Sequence, residues 1–278
     1  MSSPTFSARR MTLIAGNTLR EAVRQRLFHF IALLAVGVVV SAQWLREFNF
    51  GSSELKFIAD LGFGAMALFG SALTIAATAQ LFFSELEQRT VFTLLAKPLR
   101  RSEFVIGKFV GVALVSASFC ALLTLLLGAV LWTRETALME RFPDAFNQGR
   151  AVDYSSMMAA GFAQWLKLML LSALTLLVAS FARTQLFTTA VGFMILVICH
   201  LRFPGQSVGT GGESQAGRLL AETLEVILPN FQLFDFSESL ASGDLMVWPH
   251  VLRLTVYAVG YVAAVCVLAA FTFSRREL

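Results

Sequence analysis

Six long apolar runs dominate this sequence, over 27–45, 61–83, 105–132, 159–182, 184–201 and 250–274. A helix needs roughly 20 apolar residues to cross the ~30 Å hydrocarbon core of a bilayer. Each run approaches or exceeds that length. The acidic or basic side chains inside them are His29, Lys108, Lys167, His200, His250 and Arg253. The runs are continuous and do not alternate with period two, which argues against the strands of a membrane β-barrel. The chain is 56% hydrophobic and 14% charged, whereas soluble domains carry roughly a quarter charged residues. We expect an all-α integral membrane protein with six transmembrane helices in one domain over 1–278. Only Arg183 and its polar neighbours separate the fourth and fifth runs, so these should form a tight hairpin. One broken helix there would instead send the C-terminus to the other side.

Six spans put both termini on one side. That side holds Arg9, Arg10, Arg20, Arg24, Arg26, Arg89, Lys97, Arg100, Arg101, Lys108, Arg183, Arg275 and Arg276, thirteen of the 22 basic residues. Its acids are Glu21, Glu85, Glu87, Glu103 and Glu277. Loops rich in Lys and Arg stay in the cytoplasm, which predicts an inner-membrane protein with both ends inside. The net charge of +4 then reflects topology and gives no argument for a nucleic-acid partner.

Before the first span, Ala15, Leu19, Ala22 and Val23 repeat at helical spacing, with Arg20, Glu21, Arg24 and Gln25 opposite. This predicts an amphipathic helix lying among the headgroups, with Arg20, Arg24 and Arg26 near anionic lipid. Two larger loops fall outside, from Thr133 to about Tyr154 and from Arg202 to about Val247. The second holds a helix-like stretch with Leu219, Leu220, Leu224, Ile227 and Leu228, and then an apolar patch of Phe231, Leu233, Phe234 and Phe236. The three cysteines, Cys120, Cys199 and Cys266, lie far apart inside apolar runs and read as packing residues. Asp60 and Lys167 are ionisable residues near the outer ends of their spans. Lys167 carries either a structural role, its chain snorkelling outward, or a role in a transport pathway. Gly107 and Gly111 permit close helix packing.

The link between spans two and three is the most distinctive segment. It runs from the acids Glu85 and Glu87 through Arg89-Thr90 and the apolar pair Leu94-Leu95 to Lys97-Pro98, Arg101 and Gly107-Lys108. Pro98 interrupts helical continuation, so a short helix on the membrane surface is expected before it.

That order of elements resembles the signature of type-2 ATP-binding cassette (ABC-2) permeases. It is most similar to the multicopper-enzyme-maturation branch, the nitrous-oxide-reductase-accessory type. The opening Asn17-Thr18-Leu19-Arg20-Glu21, the Leu228-Pro229-Asn230-Phe231 of the outer loop and the ending Phe273-Ser274-Arg275-Arg276-Glu277-Leu278 also resemble that family. The resemblance implies a permease subunit that pairs with a second copy or a similar permease and docks a separate ATPase. Glu85, Glu87, Arg89, Thr90, Leu94, Leu95, Lys97, Pro98 and Arg101 would then form the coupling helix and its flanks. It implies no catalytic residue, metal or cofactor on this chain, since ATP would bind the partner subunit. The sequence holds no Gly-x-x-x-x-Gly-Lys-[Ser/Thr] loop of its own; Phe109 follows Gly107-Lys108. The competing readings are a membrane anchor or signalling module and, further off, an intramembrane enzyme. A metalloprotease would need a His-Glu-x-x-His helix, which the sequence lacks.

Overall fold

A computed structural model describes residues 8–45, 54–87, 101–143, 150–200, 228–235 and 248–275. Among these residues the fold is all-helical. Helix α1 (Ala8–Arg24) is followed after Gln25 by α2 (Arg26–Leu45). Helices α3 (Glu54–Glu87), α4 (Arg101–Arg141) and α5 (Tyr154–Phe181) come next. The short α6 (Gln185–His200), a 3-10 turn at Phe231–Phe234 and α7 (Trp248–Ser274) complete the order.

Five helices, α2 to α5 and α7, are long and apolar enough to cross a membrane. The sixth expected span, α6, has 16 residues. At 1.5 Å per residue it is ~24 Å long, short of a ~30 Å hydrocarbon core. The longest helix, α4, has 41 residues and at ~60 Å projects well past such a core. The loop expected from Thr133 therefore starts later. The helix continues to Arg141, because Pro143 disfavours helical backbone only at the residue before it, Phe142.

Ala182, Arg183 and Thr184 break the helix between α5 and α6. The two then fold back on each other. Lys167 Nζ lies 3.2 Å from His200 Nε2, and Gly192 packs near Thr175. Both pairs are nearly equidistant from Arg183. In one continuous helix Lys167 and His200 would stand ~50 Å apart. The expected hairpin is thus present.

Helix α5 forms the centre. Leu166, Leu168, Leu170, Leu171, Ala173, Leu176 and Ala179 are fully buried around it. Asp153 caps its N-terminus, accepting hydrogen bonds from Ser155 N at 3.0 Å and Ser156 N at 3.3 Å. The surrounding helices carry exposed apolar side chains: Leu33, Trp44, Leu186, Val256 and Val267 are each at least two-thirds exposed. Such a belt is at home in lipid, and helices satisfy their backbone groups internally there. The cysteines Cys120, Cys199 and Cys266 are free and buried, as packing residues should be.

Polar clamps close the end of the bundle away from Arg101. Arg134 holds Glu54 with two guanidinium hydrogen bonds. Glu135 is fully buried and accepts from Ala151 N at 2.7 Å, Val152 N at 3.1 Å and the Tyr154 hydroxyl at 2.7 Å. Arg150 lies 3.3 Å over the Trp132 ring and 3.7 Å from Glu135. A buried carboxylate with this many donors costs little to desolvate.

Candidate functional site

The segment between the end of α3 and the start of α4 is where the sequence places the expected coupling residues. Helix α3 continues through Glu85 and Glu87, and α4 begins at Arg101. Arg89, Thr90, Leu94, Leu95, Lys97 and Pro98 lie outside the described residues. So do the side chains of Glu85, Glu87 and Arg101.

Helix α1 lies against the start of α4. A Cβ on Gly107 would come within 2.9 Å of Ile14, and one on Gly111 would overlap Thr18. Only glycine at both positions lets the two helices approach this closely, the use small-x-x-x-small spacing has between helices. The face of α1 that packs here is Ala15, Thr18 and Ala22, all buried. Leu13, Arg20, Val23 and Arg24 face outward. The two glycines thus serve contact within the chain, a partner that helix periodicity does not name.

Glu21 is the main difference from expectation. Its spacing placed it on the polar outer face with Arg20 and Arg24. In the fold it turns toward Lys108, which is 1% exposed, and sits 3.8 Å from Lys108 Nζ. The Ser84 hydroxyl donates to its other oxygen at 3.0 Å. Glu21 therefore bridges α1 to the last turns of α3 and the first turns of α4. Lys108 Nζ also lies 6.0 Å over the Phe104 ring. Beside this ionic bridge sits an aromatic one. Phe273 of α7 lies 5.5 Å from Phe82 of α3 and 5.8 Å from Phe104 of α4, ring centre to ring centre. Phe82 and Phe104 are 5.9 Å apart. Edge-on and offset aromatic pairs at these distances add attraction beyond area burial.

Arg20, Arg24, Arg26, Arg183 and Arg275 are all exposed around this same end. The fold thus gathers basic residues that the sequence scatters over more than 250 positions.

Lys167 lies midway along α5, beside the end of α6 far from Arg183. It does not snorkel outward: the residue is 2% exposed. Its ammonium meets His200 and lies 5.8 Å over the Phe231 ring. His200 stacks edge-on to Phe231 at 5.9 Å. Phe231 and Phe234 are buried, so this part of the outer segment packs into the bundle. The helix-like stretch expected near Leu219–Ile227 lies outside the described residues. The spacing Gly-x-Ser-x-Gly, which a serine-hydrolase version of the intramembrane enzyme would need and which was expected to be absent, is matched by Gly205-Gln206-Ser207-Val208-Gly209. A nucleophile elbow needs a strand-to-helix turn. The run lies outside the described residues, which include no strand.

Long apolar helices with exposed apolar faces and a basic end define a multi-pass α-helical membrane protein. The family model described as ABC-2 family transporter protein matches residues 12–278, and the chain belongs to that family. Membership implies an ABC permease that pairs with an ATPase subunit. No curated protein matches the chain.

Proposed function

We propose that this chain is the membrane-spanning permease subunit of an ABC transporter in the cytoplasmic membrane. It couples ATP hydrolysis by a separate subunit to substrate movement, with export as the direction. Six helices cross the bilayer on this reading, α6 as a short span, and both termini are cytoplasmic. Two permeases, identical or similar, form the pathway. The order of motifs from Glu85 to Lys108 favours the multicopper-enzyme-maturation branch.

The observation that carries the reading is the Glu21 bridge. A coupling helix works only if a push on it moves its neighbours as a body. The ends of α3 and α4, which flank 88–100, are tied to α1 by Glu21 and to α7 by Phe273. Force from an ATPase docked on Glu85–Arg101 would move four helices together. Helix α1, its arginines outward, would ride in the headgroup layer as a lateral stop.

The test is reversal of the two acids. Glu85→Lys with Glu87→Lys should abolish substrate-stimulated ATPase activity in the reconstituted complex. The protein should still reach the membrane and retain its thermal midpoint. Unchanged coupling in that variant would refute the docking role.

A further inference from the structure

A hydroxyl inside a helix can donate to the carbonyl three or four residues back. Thr78 does so on α3, to Thr74 O at 2.7 Å, and Thr175 does so on α5, to Leu171 O at 2.8 Å. Three neighbours on the same two helices do not. Ser71 and Thr74 of α3 and Ser172 of α5 are at most 1% exposed, and their hydroxyls have no hydrogen-bond partner among the described residues. The amide nitrogen of Gln164 on α5, a residue 6% exposed, is in the same state. Buried polar groups are almost always bonded, to protein or to ordered water.

The four groups lie along one seam. Gly64, Ala67, Ser71, Thr74 and Thr78 recur at three- and four-residue spacing, and so do Gln164, Leu168, Ser172 and Thr175. Each set therefore shares a helix face. Contacts fix the register between the two faces. A Cβ on Gly70 would come within 2.9 Å of Leu168, and Ile75 and Thr175 both border Gly192 of α6. Helices α3 and α5 thus run parallel, and the same offset brings Thr74 level with Ser172. Ser71 stands one turn back. Phe119 of α4 borders Gly70 on one flank, and Gly192 sits on the other. Toward the N-terminal ends of both helices the seam meets a cavity of about 110 Å³, whose walls include Gly64, Ala67 and Gln164. One buried water needs roughly 10–15 Å³ on this scale, so the cavity admits several.

We propose that this seam binds a file of water that enters at the Gln164 cavity and ends between Thr74 and Ser172. The file extends roughly 12 Å along α5, the rise from Gln164 to Ser172. Water suits the site because it both donates and accepts. It accepts from the Gln164 amide and bridges the hydroxyls of Ser71, Thr74 and Ser172. The inner end closes at Thr78 and Thr175, whose hydroxyls are already taken up by their own helices. The site stands apart from ATPase coupling, and failure of either reading leaves the other intact.

The experiment uses the full-length protein in detergent. Thr74→Val and Ser172→Ala each remove one hydroxyl with little change of shape. With a shared water, each should lower the thermal midpoint by about 2–4 °C. The double variant should fall by less than the two combined, because either change alone breaks the bridge. In a dry seam both variants would leave the midpoint unchanged or raise it, since an unpartnered buried hydroxyl is itself a cost. With each hydroxyl bonded to its own helix, the two losses would add. Either result would overturn the proposal. A second readout detects the water itself. X-ray radiolysis makes hydroxyl radicals from bound water, and these oxidise the side chains they touch. Leu168 and Ile75 are fully buried beside the seam, out of reach of radicals from bulk solvent. Both should be oxidised in the wild type, and the double variant should lose that signal. No oxidation at either residue in the wild type, or its full retention in the double variant, would also overturn the proposal.

Discussion

Glu21 shows how a single side chain can change meaning between sequence and fold. On a helical wheel it belongs with Arg20 and Arg24, and periodicity alone assigns it to solvent. What turns it inward is Lys108, more than eighty positions away, whose buried ammonium needs a counter-charge. Removing the carboxylate should therefore cost more than an ordinary surface charge. Glu21→Ala is expected to lower stability by about 1–3 kcal/mol, within the range for losing a charged hydrogen bond. Glu21 is about a third exposed, so screening trims the coulombic part. Glu21→Gln, which keeps an acceptor for Ser84, should lose less. Thermal midpoints of the purified variants read the difference directly. Lys167 makes the same point in reverse. Its position near a helix end suggested a chain reaching for water, whereas His200 and Phe231 hold it in place. A helix's own spacing defines its faces but not the neighbour each face meets.

At the scale of elements, the apolar runs translate closely into helices, because length and hydropathy are local properties. Ends are less legible. Helix α4 outruns its apolar stretch by nine residues to Arg141, since amphipathic residues continue a helix until a proline stops it. The N-cap of α5 is local and readable: Asp153 precedes Ser155 and Ser156, whose amides it accepts. The Ser156 hydroxyl hydrogen bond, together with the two amides, holds the Asp153 carboxyl below its usual value of 3.8. A carboxylate with a depressed folded pKa stabilises above its unfolded pKa and loses that contribution as pH falls through the folded value. Asp153→Ala should thus cost about 1 kcal/mol at neutral pH. The gap from wild type should close below the ordinary carboxylate range, in thermal melts taken against pH. The α5–α6 hairpin allows a sharper check. With the native cysteines replaced, Thr175→Cys and Gly192→Cys should form an oxidative cross-link. After proteolysis at a site inserted beside Arg183, the two fragments should remain joined. Separation of the fragments under oxidising conditions would mean that the helices do not fold back.

For the molecule as a whole, charge asymmetry is the sequence signal that bears on orientation. Arg20, Arg24, Arg26, Arg183 and Arg275 are all exposed, and the count of Lys and Arg expects them on one side of alternating spans. A cysteine at Gly212 should accordingly react with a membrane-impermeant maleimide in intact cells. Labelling only after lysis would invert the orientation. The proposed coupling segment shows in the sequence as a motif, through the order Glu85, Arg89-Thr90, Leu94-Leu95, Lys97-Pro98. The braces behind it do not, because Glu21 and Phe273 come from opposite ends of the chain.

The seat of α1 on Gly107 and Gly111 also sets a timetable for biogenesis. Thr18 leaves the ribosome roughly ninety residues before Gly111. At 5–20 residues per second, that delay is on the order of ten seconds. During it, α1 has no groove to occupy and its Ala15, Thr18 and Ala22 face is uncovered. The nascent chain must shelter that face at the membrane surface or with a chaperone until the third long apolar helix arrives. Slowing elongation between positions 24 and 101 should therefore lengthen the period in which α1 is open to proteolysis.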